Sequence, residues 1–147
     1  MRKISLLCIL VLALFCFRAQ EIKASDDISA IVDTCRDYMY GWYLGDEERM
    51  EKSLHPGLSK RSLRTSPSGV TEMRHTTASD MITYTRHGYG KHLWRKGSDI
   101  EVVILDQFQD IANVKVITPH YYEYLQMVRI GGHWLIVHAL YGNIHSE

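Results

Sequence analysis

The sequence predicts an α+β domain in which helices precede an antiparallel β-sheet. Apolar residues recur at helical spacing in residues 28–42, whereas residues 100–141 contain β-branched segments bounded by turn residues. Helices first and strands second indicate an α+β domain, because alternating strands and helices would instead indicate a parallel α/β sheet.

The first twenty residues are predicted to form a secretory signal peptide. Arg2 and Lys3 give a basic start, and residues 4–17 are almost all apolar but too short a run for a comfortable membrane span. Cleavage is expected near residue 20, or as late as residue 24. The mature protein is therefore expected to be exported, either periplasmic or secreted, with no membrane span.

Residues 25–145 are predicted to form one domain, because a chain of this length can bury a core without covalent staples. Cys8 and Cys16 would leave with the signal peptide, so no internal disulfide is expected. The remaining Cys35 lies in an apolar helical stripe. It is interpreted as a small buried hydrophobic residue rather than a nucleophile.

The 17 basic and 17 acidic residues balance in the full chain. Loss of Arg2, Lys3 and Arg18 with the signal peptide would leave an acidic domain, which is not expected to bind nucleic acid. Basic residues nevertheless concentrate at positions 60–96. That segment is interpreted as a solvated face or as an attraction for an anionic small molecule.

The first helix is predicted from apolar residues spaced by four, three, four and three positions: Ile28, Val32, Cys35, Met39 and Trp42. Gly45 is expected to end it, and Asp46 to cap a short second helix that runs to about residue 54. Gly41 lies inside the first helix, where glycine costs about 1 kcal/mol relative to alanine. Its presence predicts that another backbone packs closely there.

Residues 56–76 are predicted to form a loop with a turn at residues 66–69. Thr77 and Asp80 resemble a capping box, which predicts a third helix that ends near Gly88 or Gly90. Four strands should follow, at residues 100–108, 111–118, 121–130 and 133–141.

The last two strands are predicted to form a hairpin, because Gly-Gly at residues 131–132 is a strong two-residue turn signal. The pairing then places Met127 opposite Ile136 and Leu125 opposite His138. Both faces of this hairpin are apolar, although a sheet with one solvated face should alternate apolar and polar residues. Because helices cover only one face, a homodimer through the sheet is expected.

The segments YMYGWYLGDEERMEKSLHP and YEYLQMVRIGGHWLIVHALYGN resemble the putative lumazine-binding protein family, part of the nuclear transport factor 2-like superfamily. The resemblance spans residues 28–142. It implies a cone in which a curved sheet wraps around the first helix, and the family name implies a pteridine-like ligand. The catalytic motifs of the superfamily do not map onto this sequence, so no catalytic role is carried over.

The same resemblance implies that the end of the first helix points toward the mouth of the cone. Tyr38, Trp42 and Trp134 would then line a cavity and stack on a flat ligand, with plain core packing as the alternative. His55 is a candidate residue of the pocket rim. Alternatively, it sits at the negative end of the second helix without any ligand.

Glu123 and His138 are predicted to be diagonal neighbours on the hairpin face that carries Trp134. They form a candidate acid–base pair, with His55 across the cavity, or alternatively a structural ion pair. The spacing of the eight histidines does not predict a metal site, and no cofactor is expected.

Three functions remain open from the sequence. The preferred one is an exported protein that binds a flat aromatic or anionic small molecule without changing it. The second is a small-molecule lyase or isomerase that uses the Glu123–His138 pair. The third is a structural or protein-interaction domain whose cavity is filled by its own side chains.

Overall fold

The structure is a computed structural model that describes residues 26–95 and 99–144. The predicted signal peptide at residues 1–20 lies outside the described residues. The helices are α1, whose described part covers residues 26–44, α2 at Glu47–Ser53 and α3 at Ala78–Arg86, followed by a 3-10 turn at Lys91–Leu93. The strands are β1 (Leu54–Thr65), β2 (Thr71–Thr77), β3 (Glu101–Phe108), β4 (Ile111–Ile117), β5 (Tyr121–Ile130) and β6 (His133–Asn143).

The described strands form one six-stranded sheet in the order β2-β1-β6-β5-β4-β3. This arrangement confirms the α+β class. The sheet is mixed rather than entirely antiparallel, because β1 pairs parallel to β6 whereas every other pairing is antiparallel. β1 follows α2 directly and pairs with β6, the last of the described strands, so these two strands lie side by side within the sheet.

The prediction of a loop at residues 56–76 is wrong, because β1 and β2 form a hairpin there. Only the turn was predicted correctly: the Gly69 N–H donates to the Ser66 carbonyl over 2.9 Å. Five consecutive residues of β2 are exposed, so the strand lacks the alternation that reveals a half-buried strand.

The predicted connection between α1 and α2 is confirmed. Gly45 adopts a left-handed φ of 69°, and the Asp46 side chain accepts a hydrogen bond from the Arg49 N–H over 3.1 Å. A Cβ added to Gly41 would lie 2.9 Å from the Met50 backbone nitrogen, so α2 packs directly on this glycine. The predicted Thr77 capping box also opens α3.

The hairpin of β5 and β6 contains a bulge that the sequence did not reveal. Met127 pairs with Ile136 as predicted, but Leu125 pairs with Ala139 rather than with His138. One extra residue, Val137, is accommodated in β6 between these pairs. Because facing alternates along a strand, the extra residue reverses the orientation of every side chain that follows it.

The core lies between the inner stripe of α1 and the concave face of the sheet. Its largest fully buried side chains include Tyr38, Met39, Leu125, Met127 and Ile136. Cys35 is fully buried with its Sγ 3.7 Å from the Met127 sulfur, and burial raises its pKa to about 12. It is therefore a packing residue, as predicted. None of the helices in residues 26–95 and 99–144 is long and apolar enough to cross a membrane.

Candidate functional site

A cavity of about 250 Å³ lies between α1 and the concave face of the sheet. The aromatic side chains that line it are Tyr38, Trp42, Tyr84, Tyr89, Tyr121 and Tyr141. The polar lining residues are Lys60, Arg74, Thr76, Glu123 and Asn143, and the apolar ones are Met39 and Met81. Helices and strands thus contribute to the same cavity, and six of its thirteen lining residues are aromatic.

The sheet presents its lining residues through the two-residue alternation of strands. Glu123 on β5 pairs with Tyr141 on β6, and Tyr141 pairs in turn with Ser62 on β1. Tyr141 points into the cavity because the bulge at Val137 reverses the facing of the end of β6. The bulge therefore builds one wall of the site.

A buried ion pair forms the floor of the cavity. Lys60 is 6% exposed and Glu123 is 2% exposed, and the lysine Nζ lies 2.7 Å from the carboxylate Oε2. The lysine also donates to the Tyr38 hydroxyl over 2.5 Å, and that hydroxyl donates to the same Oε2 over 3.1 Å. The three groups form a closed triangle, with the ammonium 3.9 Å from the centroid of the Tyr141 ring.

The surroundings of Tyr38 keep its phenol protonated near neutral pH. Burial raises the pKa of this phenol well above 10, and the negative charge of Glu123 raises it further. Tyr38 is therefore a neutral hydrogen-bonding group near pH 7. Tyr121 has its pKa raised as well, chiefly by burial.

Trp42 forms a rigid part of the wall near the end of α1. A Cβ on Gly90 would lie 2.5 Å from the Trp42 carbonyl oxygen and 2.6 Å from its Nε1, so the chain after α3 packs tightly against the indole. The Nε1 has no hydrogen-bond partner among the described residues. It lies near the Tyr121 hydroxyl and lowers its pKa, although the geometry falls outside that of a hydrogen bond.

Tyr84 and Tyr89 stand at the helical side of the cavity. Their rings are stacked with centroids 5.3 Å apart and an angle of 10° between their planes. Tyr89 is 56% exposed, so this pair meets solvent. A stacked pair of this kind offers a flat apolar surface with hydroxyls at its edge.

The structure brings together three of the six candidate residues: Tyr38, Trp42 and Glu123. His55 lies in β1 with its Nδ1 accepting the Gly57 N–H over 3.0 Å, outside the lining of the cavity. Trp134 is 3% exposed and packs in the core, where the Arg129 guanidinium lies 5.6 Å from its ring. It does not line the cavity.

The predicted pair of Glu123 and His138 is wrong. His138 is exposed on the opposite face of the sheet, where its Nδ1 lies 3.0 Å from the Gln126 Oε1. The cause is the bulge at Val137, which turns His138 outward and Ala139 inward. The carboxylate has Lys60 as its partner instead.

Sequence reasoning missed Lys60 because it lies in the segment that was predicted to be a loop. A lysine flanked by Ser59 and Arg61 has the pattern of a solvated surface. The period-two series of buried residues Leu58, Lys60 and Ser62 is the signal that the sequence contains, and two of its three members are polar. Buried polar residues hide a strand from hydrophobic pattern analysis.

The family model described as "Putative lumazine-binding" matches residues 26–142, which is nearly the whole of the described chain. The chain belongs to the putative lumazine-binding family. No curated protein matches the sequence.

Solved structures similar to this family member share its fold. One is a nuclear transport factor 2-like protein of unknown function from Shewanella baltica, 12% identical over 83% of this chain and 97% of that chain, with a TM-score of 0.63. Another, from Silicibacter pomeroyi, is 20% identical over 82% and 98%, with a TM-score of 0.60. A third is described as a putative scytalone dehydratase from Novosphingobium aromaticivorans, 13% identical over 83% and 87%, with a TM-score of 0.55. At these identities the likeness establishes the curved-sheet fold alone.

Proposed function

We propose that this member of the putative lumazine-binding family binds a small, flat organic molecule in the cavity beside Trp42. The observation that carries the proposal is a cavity of about 250 Å³ whose lining includes one tryptophan and five tyrosines. Aromatic faces with polar edges stack on planar ligands and bond to their rims. Pockets for drug-sized ligands measure about 300–1,000 Å³. Because this cavity is smaller, a ligand of one or two fused rings is expected.

The charges around the cavity favour a neutral or anionic molecule over a cationic one. Lys60 and Glu123 compensate each other at the floor. Arg74 is exposed, lines the cavity and makes no ion pair within the described residues. Together with the family description, this supports a pteridine or a similar heterocycle as the first ligand to test.

The lyase or isomerase alternative loses its main support. Its histidine lies on the other face of the sheet. Within the described residues, the Oε2 of its carboxylate accepts hydrogen bonds from Lys60 and Tyr38 instead. The alternative of a filled cavity is disfavoured by the open volume. Binding without chemical conversion is therefore the function that we propose.

A direct experiment is to purify the natively exported protein and extract the small molecules that co-purify with it. Mass spectrometry then identifies these molecules. Thr76→Trp is the matched test variant, because Thr76 is 7% exposed and lines the cavity, where an indole would occupy the ligand volume. Thr71→Trp is the control, an exposed position on the same strand. We expect the molecule in the wild type and in T71W but not in T76W. Equal recovery from T76W contradicts the proposal.

We also propose that the protein is exported, on the basis of the basic start and apolar run in residues 1–20. Expression of the full chain in a bacterial host, with fractionation and mass spectrometry of the amino terminus, tests this. A mature form that starts between residues 21 and 25 is expected outside the cytoplasm. An intact amino terminus in the cytoplasm contradicts it.

We further propose a homodimer through the outer face of the sheet. Exposed apolar side chains on this face include Leu63 at 68%, Met73 at 63%, Leu105 at 51%, Tyr124 at 50% and Leu140 at 53%. Four of them line a shallow groove that runs from β2 to β3. Polar side chains such as Arg61, Asp106 and Gln126 also line the groove. Clustered exposed apolar side chains of this kind are typical of protein contacts, and a second copy of the chain presents the same surface.

A further inference from the structure

We infer that the Glu123 carboxylate selects the ligand, and that the ligand is a planar heterocycle with a ring N–H donor, such as a cyclic amide or ureide. This inference rests on the proposed binding function. It adds the group in the protein that recognises the ligand, the complementary group on the ligand, and the orientation in which the ligand enters.

The two carboxylate oxygens of Glu123 differ in their hydrogen bonding. Within the described residues, Lys60 and Tyr38 both donate their hydrogen bonds to Oε2. The other oxygen, Oε1, accepts no hydrogen bond from the described residues. Oε1 is also not fully buried. The fully buried side-chain nitrogen and oxygen atoms without a partner among those residues are Trp42 Nε1, Thr85 Oγ1 and Trp134 Nε1. Because Glu123 lines the cavity, the remaining exposure of Oε1 is to the cavity.

An open carboxylate oxygen in an aromatic cavity favours a donor. Hydrogen bonds to ionised groups are about twice as strong as those between neutral groups, and leaving the acceptor unpaired is costly in a site that excludes water. The charge of Glu123 is already compensated by Lys60, 2.7 Å away. A neutral N–H therefore suffices, and a cation is not required.

Lys60 cannot fill the recognition role itself. Its ammonium has three protons, of which two are used by Tyr38 and Glu123. The ammonium also lies 3.9 Å from the centroid of the Tyr141 ring, and its remaining proton can point toward that ring. Lys60 is thus a positioning residue for the carboxylate, and an anionic ligand group finds no open donor at the floor.

The charged and amide donors of the cavity lining lie elsewhere, at Arg74 and Asn143, both of which are exposed. The ligand therefore enters with its N–H edge toward Glu123 and its carbonyl or anionic edge toward Arg74. A cyclic amide or ureide carries both edges on one flat ring system, and its faces then contact the tyrosine rings and Trp42.

The experiment compares constitutional isomers, so that added bulk is held constant. The probes are lumazine, 1,3-dimethyllumazine, whose ring N–H groups are blocked, and 6,7-dimethyllumazine, which keeps them. A second series uses uracil with its 1,3-dimethyl and 5,6-dimethyl derivatives. Isothermal titration should show the N-methylated isomer binding at least about tenfold more weakly than the C-methylated one in at least one series, as expected from loss of a charge-assisted hydrogen bond.

The protein arm replaces both members of the ion pair, so that no buried charge is left unpaired. In the double variant K60M/E123M the preference between isomers should fall below about threefold. H138Q, which alters the outer face, should keep the preference of the wild type. Even if the double variant does not fold, the isomer comparison in the wild type still tests the requirement for a ring N–H donor.

Equal binding of the two isomers in both series overturns the inference while leaving small-molecule binding intact. A natively co-purified molecule without any N–H or O–H donor, combined with no binding of either series, has the same effect. If no molecule co-purifies and no probe binds, the proposed function fails together with the inference. If the preference persists in K60M/E123M, a group other than Glu123 accepts the hydrogen bond from the ligand. That result also overturns the inference.

Discussion

Lys60 Nζ lies 2.7 Å from Glu123 Oε2, although the two residues are 63 positions apart in the sequence. Both side chains are less than a tenth exposed. Such a pair contributes little net stability relative to apolar residues, because desolvation offsets the attraction. Removal of only one partner is strongly destabilising, because it leaves a buried charge without a partner.

We therefore predict that K60M lowers the free energy of unfolding by about 3–5 kcal/mol. The double variant K60M/E123M should recover most of that loss, because no unpaired charge remains. Urea denaturation of the wild type, K60M, E123M and the double variant gives the coupling energy. Additive losses in the double variant would show that the two side chains do not interact.

The first helix and its connection to α2 were predictable because local signals agree there. Apolar spacing, the Asp46 cap and the positive φ of Gly45 all act within a few residues. The Gly-Gly turn of the last hairpin is also local, so the pairs adjacent to it were predicted correctly. The family resemblance supplied the curvature and the cavity, which no local pattern encodes.

The composition of the site was only partly predictable. The bulge at Val137 depends on pairing across strands. Its extra residue turns His138 away from the cavity and Tyr141 into it. Lys60 lies in a strand with polar residues on both faces, so it was interpreted as part of a loop. Sequence patterns locate apolar faces well, but they do not show which polar residues point inward.

The packing of α2 on Gly41 gives a prediction in which two effects compete. Alanine favours a helix over glycine by about 1 kcal/mol, but its Cβ would lie 2.9 Å from the Met50 backbone nitrogen. Because backbone cannot move aside cheaply, G41A should be destabilised by about 1–3 kcal/mol. Thermal unfolding measures the change. G142A is the control, since nothing lies within 4 Å of its added Cβ, and a stabilised G41A would contradict the close packing.

The buried tyrosines predict a loss of stability in alkaline solution. The pKa of Tyr43 is raised to about 12 by burial, and that of Tyr38 lies well above 10. A raised pKa means that the folded state keeps its proton while the unfolded state releases it. The free energy of unfolding should therefore be insensitive to these groups below pH 10 and fall as the pH rises from 10 toward 12.

Urea denaturation at several pH values, with absorbance at 295 nm to follow phenolate, checks this prediction. Y43F should show a shallower alkaline fall than the wild type, because it removes one buried titrating group. It should also lose some stability at neutral pH, since the Tyr43 hydroxyl donates to Thr118 Oγ1 over 2.8 Å. Y89F, at an exposed ring, serves as the control. An identical alkaline fall in Y43F would refute the assignment.

The proposed dimer predicts that a charge on the outer face of the sheet produces monomers. Leu140 is 53% exposed and lies in the groove on that face. L140E should convert the protein to a species with the mass of one chain in sedimentation velocity, because burial of an unpaired glutamate in the interface is costly. L44E is a matched control on α1, where Leu44 is 46% exposed. A monomeric wild type at micromolar concentration would rule out the proposal.

Arg74 predicts how an anionic substituent affects binding. It lines the cavity, is exposed and belongs to β2. Lumazine-6-carboxylate should bind about 3–10-fold more tightly than lumazine to the wild type at low ionic strength, which corresponds to a partly exposed charge pair of about 1 kcal/mol. The advantage should shrink as salt is raised, because exposed charges are screened.

In R74Q the carboxylate should lose its advantage while lumazine itself keeps most of its affinity. R64Q is the control, because Arg64 is exposed on the same hairpin but does not line the cavity. If R64Q and R74Q weaken the carboxylate equally, the effect comes from the overall charge of the hairpin. If only R74Q does so, a specific contact at the rim is responsible, and the ligand enters with its anionic edge outward.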